Sequence, residues 1–451
     1  MSHKNTDIVA STDVEMLKNR IDDTLKMALQ KGATQVEAGL SVSQGLSVAV
    51  RMRDVETIEH QQDNGLGISV YFGQRKGSAN TSNLDPEAVR KTVEAACHIA
   101  RYTSEDTCSG LADAVLMATR FKPLDLYHPW SISPQTAINL ALECEAAALD
   151  YDSRIVNSEG ASVDINSSIS IYGNSHGFLQ AEQKTRHSIS CAVVSESGDN
   201  MQRDYWYDVC RNPARLATTR RVGERAAERT VKRLNARKLK TQQSPVMLVP
   251  ELARGLIGHF TSAIGGSVQY RKASFLLNAV DTQVFPDYLQ LSEHPFQPQA
   301  LGSANYDGEG VAIAENALVC DGIVQTYLLD SYAARKLGLQ STGHASGVHN
   351  LTVNNTGQSF DDMLKVMHQG LLVTELMGQG VNLVTGDYSR GAAGFWVENG
   401  DIQFPVEEVT IAANLRDMFK DIIEIGTDVD RRSPIVTGSM LIGNMMIAGT
   451  G

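Results

Sequence analysis

Residues 245–277 hold the segment of this chain most suited to chemistry. An apolar run enters Pro250-Glu251-Leu-Ala-Arg-Gly255-Leu-Ile-Gly258-His259-Phe-Thr-Ser-Ala263, and Gly265-Gly266-Ser267 ends it. A hydrolytic zinc takes about three protein ligands, often two from one helix, and a carboxylate to deprotonate its water. This helix offers one imidazole, His259, and its only acid, Glu251, lies two turns upstream. A packed or hydrogen-bonded imidazole is therefore the better reading of His259. Three other strings could act. His344 and His349 share a glycine-rich loop and could ligate metal, gather protons or meet a peptide, but no carboxylate stands near them at a defined spacing. Gly173-Asn-Ser175-His176-Gly177 matches a nucleophile elbow as a string; that elbow needs a helix after the serine, and the residues that follow alternate like a strand. In 386–391, Asp387, Tyr388 and Arg390 lie between glycines, where Asp387 and Arg390 could bind a peptide's termini or simply pair to fix a hairpin.

The elements that must position these residues follow from periodicity. Val14, Leu17, Ile21, Leu25 and Ala28 form a helical stripe ending near Gly32. Strand-like alternation follows at 36–42, 46–51, 55–61 and 66–72, with turns read at 43–45 and 63–65. Asp85-Pro86-Glu87 opens a helix, Ser133-Pro134 opens another, and strand-like runs at 162–172, 178–186, 188–196 and 201–209 lead to a helix after Asn212-Pro213. From Ser244 onward, short strands and glycines dominate, with strands read at 382–385 and 394–397 among others. The fold class is α+β: helix–antiparallel-meander–helix units over 1–125 and 126–242, then a β-rich, barrel- or sandwich-like domain over 243–451 that carries the His259 helix.

Bulk composition narrows the partners. The 451 residues are 42% hydrophobic and 20% charged, with a net charge of −12 that argues against nucleic acid or anionic membrane. Met1-Ser-His-Lys-Asn5 leads into no apolar signal core, and no window of eighteen apolar residues exists. Six cysteines without a C-x-x-C spacing read as free thiols in a reducing, cytoplasmic setting.

Seven stretches carry a resemblance. They are Gly67-Ile-Ser-Val-Tyr71 with Arg75-Lys-Gly-Ser-Ala79, Ala100-Arg-Tyr-Thr-Ser104, Gly173-Asn-Ser-His-Gly177, Val268-Gln-Tyr-Arg-Lys272, Tyr332-Ala-Ala-Arg-Lys-Leu-Gly338, Ser341-Thr-Gly-His-Ala345, and residues 386–400. In this order the chain resembles the TldD/TldE (PmbA, modulator of DNA gyrase) family, in its TldE/PmbA branch. The resemblance implies a cytosolic two-subunit metalloprotease that processes or degrades flexible peptides, including microcin precursors and an antitoxin. Its catalytic TldD subunit has a His-Glu-x-x-x-His helix and a distant cysteine ligand. Carried onto this chain, the two histidines fall on Gly258 and Ala263, the glutamate on His259 and the cysteine near Thr437. Glycine and alanine have no donor, and a threonine hydroxyl is a poor substitute for thiolate at zinc. The expectation is a subunit with no metal or other cofactor, paired with a TldD-like chain. An autonomous metallopeptidase using His259 with His344 or His349, or a homodimeric peptide-binding module, is the alternative.

Overall fold

The computed structural model describes residues 13–450 together with Val9; the stretch Met1-Ser-His-Lys-Asn5 and the final residue lie outside the described residues. Helix α1 (Val14–Gln30) starts where Asp13 accepts hydrogen bonds from the Glu15 and Met16 amides, and it buries Leu17, Ile21, Leu25 and Ala28. The strands β1 (Gln35–Arg51), β2 (Asp54–Phe72) and β3 (Arg75–Thr81) follow, then helix α2 (Pro86–Tyr102) with proline in its first turn. The second unit repeats the plan: α3 (Pro134–Leu149), β4 (Ile155–Asn174), β5 (Leu179–Ser197), β6 (Asn200–Cys210) and α4 (Thr219–Lys232).

Both units share one six-stranded sheet in the order β3-β2-β1-β4-β5-β6. Strand β1 serves each in turn. Its first half, Val36 to Val42, packs in one core with α1 and α2, while Leu46, Val48 and Val50 pack in another with α3 and α4. The turns read at 43–45 and 63–65 do not form. Ser43 pairs with Asp63 and Gly45 with Gln61, so the two turn-like strings sit opposite each other in a continuous ladder. Gly45 is there for closeness: a Cβ on it would stand 3.3 Å from the Ile165 carbonyl of β4.

The C-terminal half contains β7 (Lys240–Leu248), β8 (Leu291–Glu293), β9 (Asn316–Cys320), β10 (Ile323–Val324), β11 (Leu351–Val353), β12 (Gly370–Met377), β13 (Asp387–Glu398), β14 (Asp401–Asn414), β15 (Ile422–Ile425), β16 (Ile435–Val436) and β17 (Met440–Thr450). Strands run β14-β13-β12-β7-β17-β15, and a further pairing of β14 with β17 closes five of them into a barrel. Helix α5 (Pro250–Ala263) packs into the same core as the barrel strands, burying Ala253, Leu256, Ile257, Phe260 and Ala263. Phe260 meets Phe285 edge-on at 4.9 Å between ring centres, and Phe285 lies 4.9 Å from Phe419. A smaller sheet, β10-β9-β8-β11-β16, lies in the same half. The strand read at 382–385 is instead a turn: Asn382 Oδ1 accepts from the Val384 amide, and Gly386 takes φ +84°. Residues 387–398 then form one strand, so Asp387 to Arg390 belong to β13 and not to a loop.

Candidate functional site

Proline at the start of α5 and Glu251 in its first turn set the helix going, and its apolar stripe turns inward. Gly258 and His259 fall on its half-buried side. A Cβ on Gly258 would meet only Ile435 Cδ1, at 4.0 Å. The segment leading to Thr437 therefore runs beside this point of the helix. Thr437 is buried, and its hydroxyl donates to the Gly438 carbonyl at 3.1 Å. Ala263 is fully buried in the barrel core, where its carbonyl accepts from Gln269 Nε2 and Ser274 Oγ, both at 2.6 Å.

The structure brings His259, Tyr388 and Arg390 together. The His259 and Tyr388 rings meet edge-on with centres 6.0 Å apart. Burial, then the Arg390 charge, pushes the His259 pKa below 6.5, and burial raises the Tyr388 hydroxyl. Arg390 Nε is buried without a hydrogen-bond partner. Asp387 stands apart, accepting from Thr385 Oγ1 at 2.6 Å and Asn414 Nδ2 at 3.4 Å rather than pairing with Arg390. His259 is thus neutral at pH 7. The unfolded chain takes up its proton first, so this group's contribution to stability is complete above pH 6.5 and is lost as pH falls through the lower folded value. An NMR titration of the imidazole should give a midpoint below 6.5, and Arg390→Gln should move it upward.

His344 and His349 are not presented to solvent. Both turn onto Glu293, the last residue of β8; the side chains of the three are 3%, 6% and 2% exposed. His344 Nε2 lies 2.6 Å from Glu293 Oε2, and the His349 amide donates to Glu293 Oε1 at 2.7 Å. His349 Nδ1 stands 3.8 Å from Oε1, and burial depresses its pKa to about 4. Among the described residues these three form a group whose possible ligand atoms all lie within 4.8 Å of one another. Sequence reasoning missed the carboxylate because Glu293 is 51 and 56 residues from the two histidines; no local spacing signals it. Its neighbour His294 turns outward to Glu315 at 2.6 Å.

The Gly173–Gly177 string is a hairpin. Asn174 N bonds to the Phe178 carbonyl and β5 follows at once, so Ser175 tops no strand-to-helix turn. A cleft of about 900 Å³ opens between β6 and α4 on one side and the start of α5, β14 and residues 428–432 on the other. Phe395, Phe404 and Leu372 line part of it. Trp206 faces them, with Arg225, Arg229 and Arg432 at 5.4, 5.1 and 4.1 Å from its ring.

The sheet shared by two helix-flanked units, the closed barrel and the helix packed in its core define an α+β fold. Residues 36–100, 127–234 and 241–449 match the family models for domain 1, the central domain and the C-terminal domain of the PmbA/TldA metallopeptidases. The chain is 47% identical over 441 residues to "Metalloprotease PmbA" of Escherichia coli O157:H7, covering 97% of this chain and 98% of that one. It belongs to the PmbA/TldD family, in the PmbA branch. Haemophilus influenzae Rd has both a PmbA homolog, 46% identical over 99% of each chain, and a TldD homolog, 22% identical over 77% of this chain and 76% of its own. A Bacteroides thetaiotaomicron crystal structure, described as a candidate modulator of DNA gyrase, superposes with a TM-score of 0.92 at 26% identity, covering 97% of this chain and all of that one. No helix among the described residues is long and apolar enough to cross a membrane.

A metallopeptidase family implies a hydrolytic metal, and the residues around α5 do not fit one. Gly258 has no side chain, the Ala263 methyl is enclosed by the core, and the Thr437 hydroxyl is committed to a backbone carbonyl. His259, a neutral imidazole tucked against Tyr388, brings no carboxylate to the helix beside them.

Proposed function

We propose that this chain is the non-catalytic subunit of a cytosolic two-chain metalloprotease, paired with a TldD-like catalytic subunit and acting on flexible peptides. Microcin precursors and an antitoxin are the peptide classes that the family resemblance suggests. The observation that carries this reading is the want of donors where α5 meets the 435–437 segment, in a scaffold otherwise built like a site. Zinc activates water by lowering its pKa from about 15.7 to about 7, and it does so only while several good ligands hold it in place. The chain's part is then to shape and enclose. The 900 Å³ cleft, with an aromatic wall and the Trp206 platform, has the size and lining to hold a stretch of extended peptide. Organisms that have both a PmbA-type and a TldD-type chain support the pairing.

The autonomous-peptidase reading needs His259 with His344 or His349, but the two loop histidines are enclosed on Glu293 and His259 is not among that group. A peptide carbonyl has no path to them. Tagged chain drawn from its native cytosol should bring down a TldD-like chain in equimolar amount. Peptidase activity on an unfolded peptide should need both chains, each alone being silent. Hydrolysis by this chain alone sinks the proposal, whether or not Glu293→Gln abolishes it, and a homodimer with no partner favours a peptide-holding module.

A further inference from the structure

We infer that Glu293, His344 and His349 form an enclosed structural site for a divalent transition-metal ion, zinc being the first choice, which fastens the 341–350 loop to the end of β8. Two imidazoles and one carboxylate are a donor set that suits zinc. They come from elements that strand pairing already fixes. Glu293 ends β8, and β8 pairs with β11, where Leu351 lies opposite Glu293 and only two residues beyond His349. The loop bearing both histidines turns at Gly343 (φ +74°) and Gly347 (φ +87°), conformations that a side chain would resist.

The distances suit an ion of this kind. Zinc binds nitrogen and oxygen at about 2.0–2.2 Å, which puts tetrahedral ligand atoms about 3.3 Å apart. Here His344 Nε2 and Glu293 Oε2 are 2.6 Å apart, and His349 Nδ1 and Glu293 Oε1 are 3.8 Å apart. Shifts of less than about 1 Å bring either pair to the required separation.

Orienting bonds are in place as well. His344 Nδ1 lies 2.8 Å from Thr342 Oγ1, whose own proton goes to the Tyr327 carbonyl at 3.1 Å. With Nδ1–H donated to that hydroxyl, His344 Nε2 presents a lone pair toward Glu293, the arrangement that ligating histidines adopt. The His349 amide holds Oε1 of the carboxylate and leaves Oε2 facing His344.

The gap at His349 points the same way. His349 Nδ1 faces Glu293 Oε1 at 3.8 Å, too far for a hydrogen bond yet close to the separation of two ligands on one ion. Enclosure on all three sides makes the role structural, because substrate cannot reach the ion. The inference departs from the expectation that the chain holds no metal, and it is independent of the subunit reading, which concerns α5.

The test uses the full chain, stripped by chelator and titrated with Zn²⁺ and Co²⁺ alone. One ion should bind per chain. X-ray absorption at the zinc edge should show imidazole and oxygen with no sulfur shell at about 2.3 Å, which excludes the six cysteines. Glu293→Gln keeps an oxygen for the His349 amide and turns an NH₂ donor toward the His344 Nε2 lone pair, so it should fold, verified by circular dichroism, yet weaken binding by at least the 10–100-fold that even an outer-shell partner is worth. His349→Gln should do the same. No stoichiometric ion in the wild-type chain, a sulfur shell, or undiminished binding in folded Glu293→Gln would each overturn the site.

Discussion

Glu293→Leu is expected to destabilise the metal-free chain by about 2–6 kcal/mol, while Glu293→Gln should cost a small part of that. Leucine fills similar space but accepts nothing. It strands His344 Nε2 and the His349 amide in a region where the side chains are almost wholly enclosed. Each orphaned buried polar group costs about 1–3 kcal/mol, and two are orphaned here. Glutamine still accepts from the His349 amide through its oxygen, and its NH₂ can donate to His344 Nε2 in the tautomer protonated at Nδ1. The Ser341–Asn350 loop should loosen first in the leucine variant, since Glu293 is the point where its two histidines converge. Urea unfolding followed by tryptophan fluorescence, in chelator so that no metal contributes, measures the difference. If the leucine and glutamine variants unfold together with the wild type, the network holds nothing and the loop is anchored elsewhere.

This cluster also marks where reading the sequence stops. Local signals were legible because they act over a few residues. Ser133 caps α3 through a bond to the Thr136 amide and proline opens α2 and α3, whereas the helix read from Asn212-Pro213 begins only at Thr219, capped by Thr218. The want of donors in α5 is likewise a property of the string itself: no fold can give Gly258 a side chain. Errors came where a partner strand decides the conformation. Ser43-Gln-Gly45 and Asp63-Asn-Gly65 carry turn residues, yet pairing with each other and with β4 holds the first of them flat. Residues 382–385 looked like a strand by composition, but the Asn382 side chain captures the Val384 amide and bends them. Glu293 lay furthest out of reach, because its meaning depends on residues more than fifty positions away.

Restoring the missing donors gives the second large effect. In the Glu293→Gln background, combining Gly258→His, His259→Glu, Ala263→His and Thr437→Cys should take the chain from no tightly held zinc to one ion. The geometry is favourable at two positions: Gly258 borders Ile435 with room to spare, and Thr437 follows two residues later on the same segment. The third is harder. Residues five apart on a helix differ by roughly 140° in direction, so positions 258 and 263 converge only if the turn between them deforms. Ala263 is also fully buried, and an imidazole there overpacks the core by about 1–3 kcal/mol. Structural zinc sites return about 10–16 kcal/mol on binding, so the ion can drive that rearrangement. A thiolate-to-cobalt charge-transfer band that the parent lacks, and that disappears when threonine is kept at 437, would place the ion on α5. If the combined variant folds and retains no metal, the correspondence between this helix and the catalytic one is out of register, and the case for a silent subunit loses its main support.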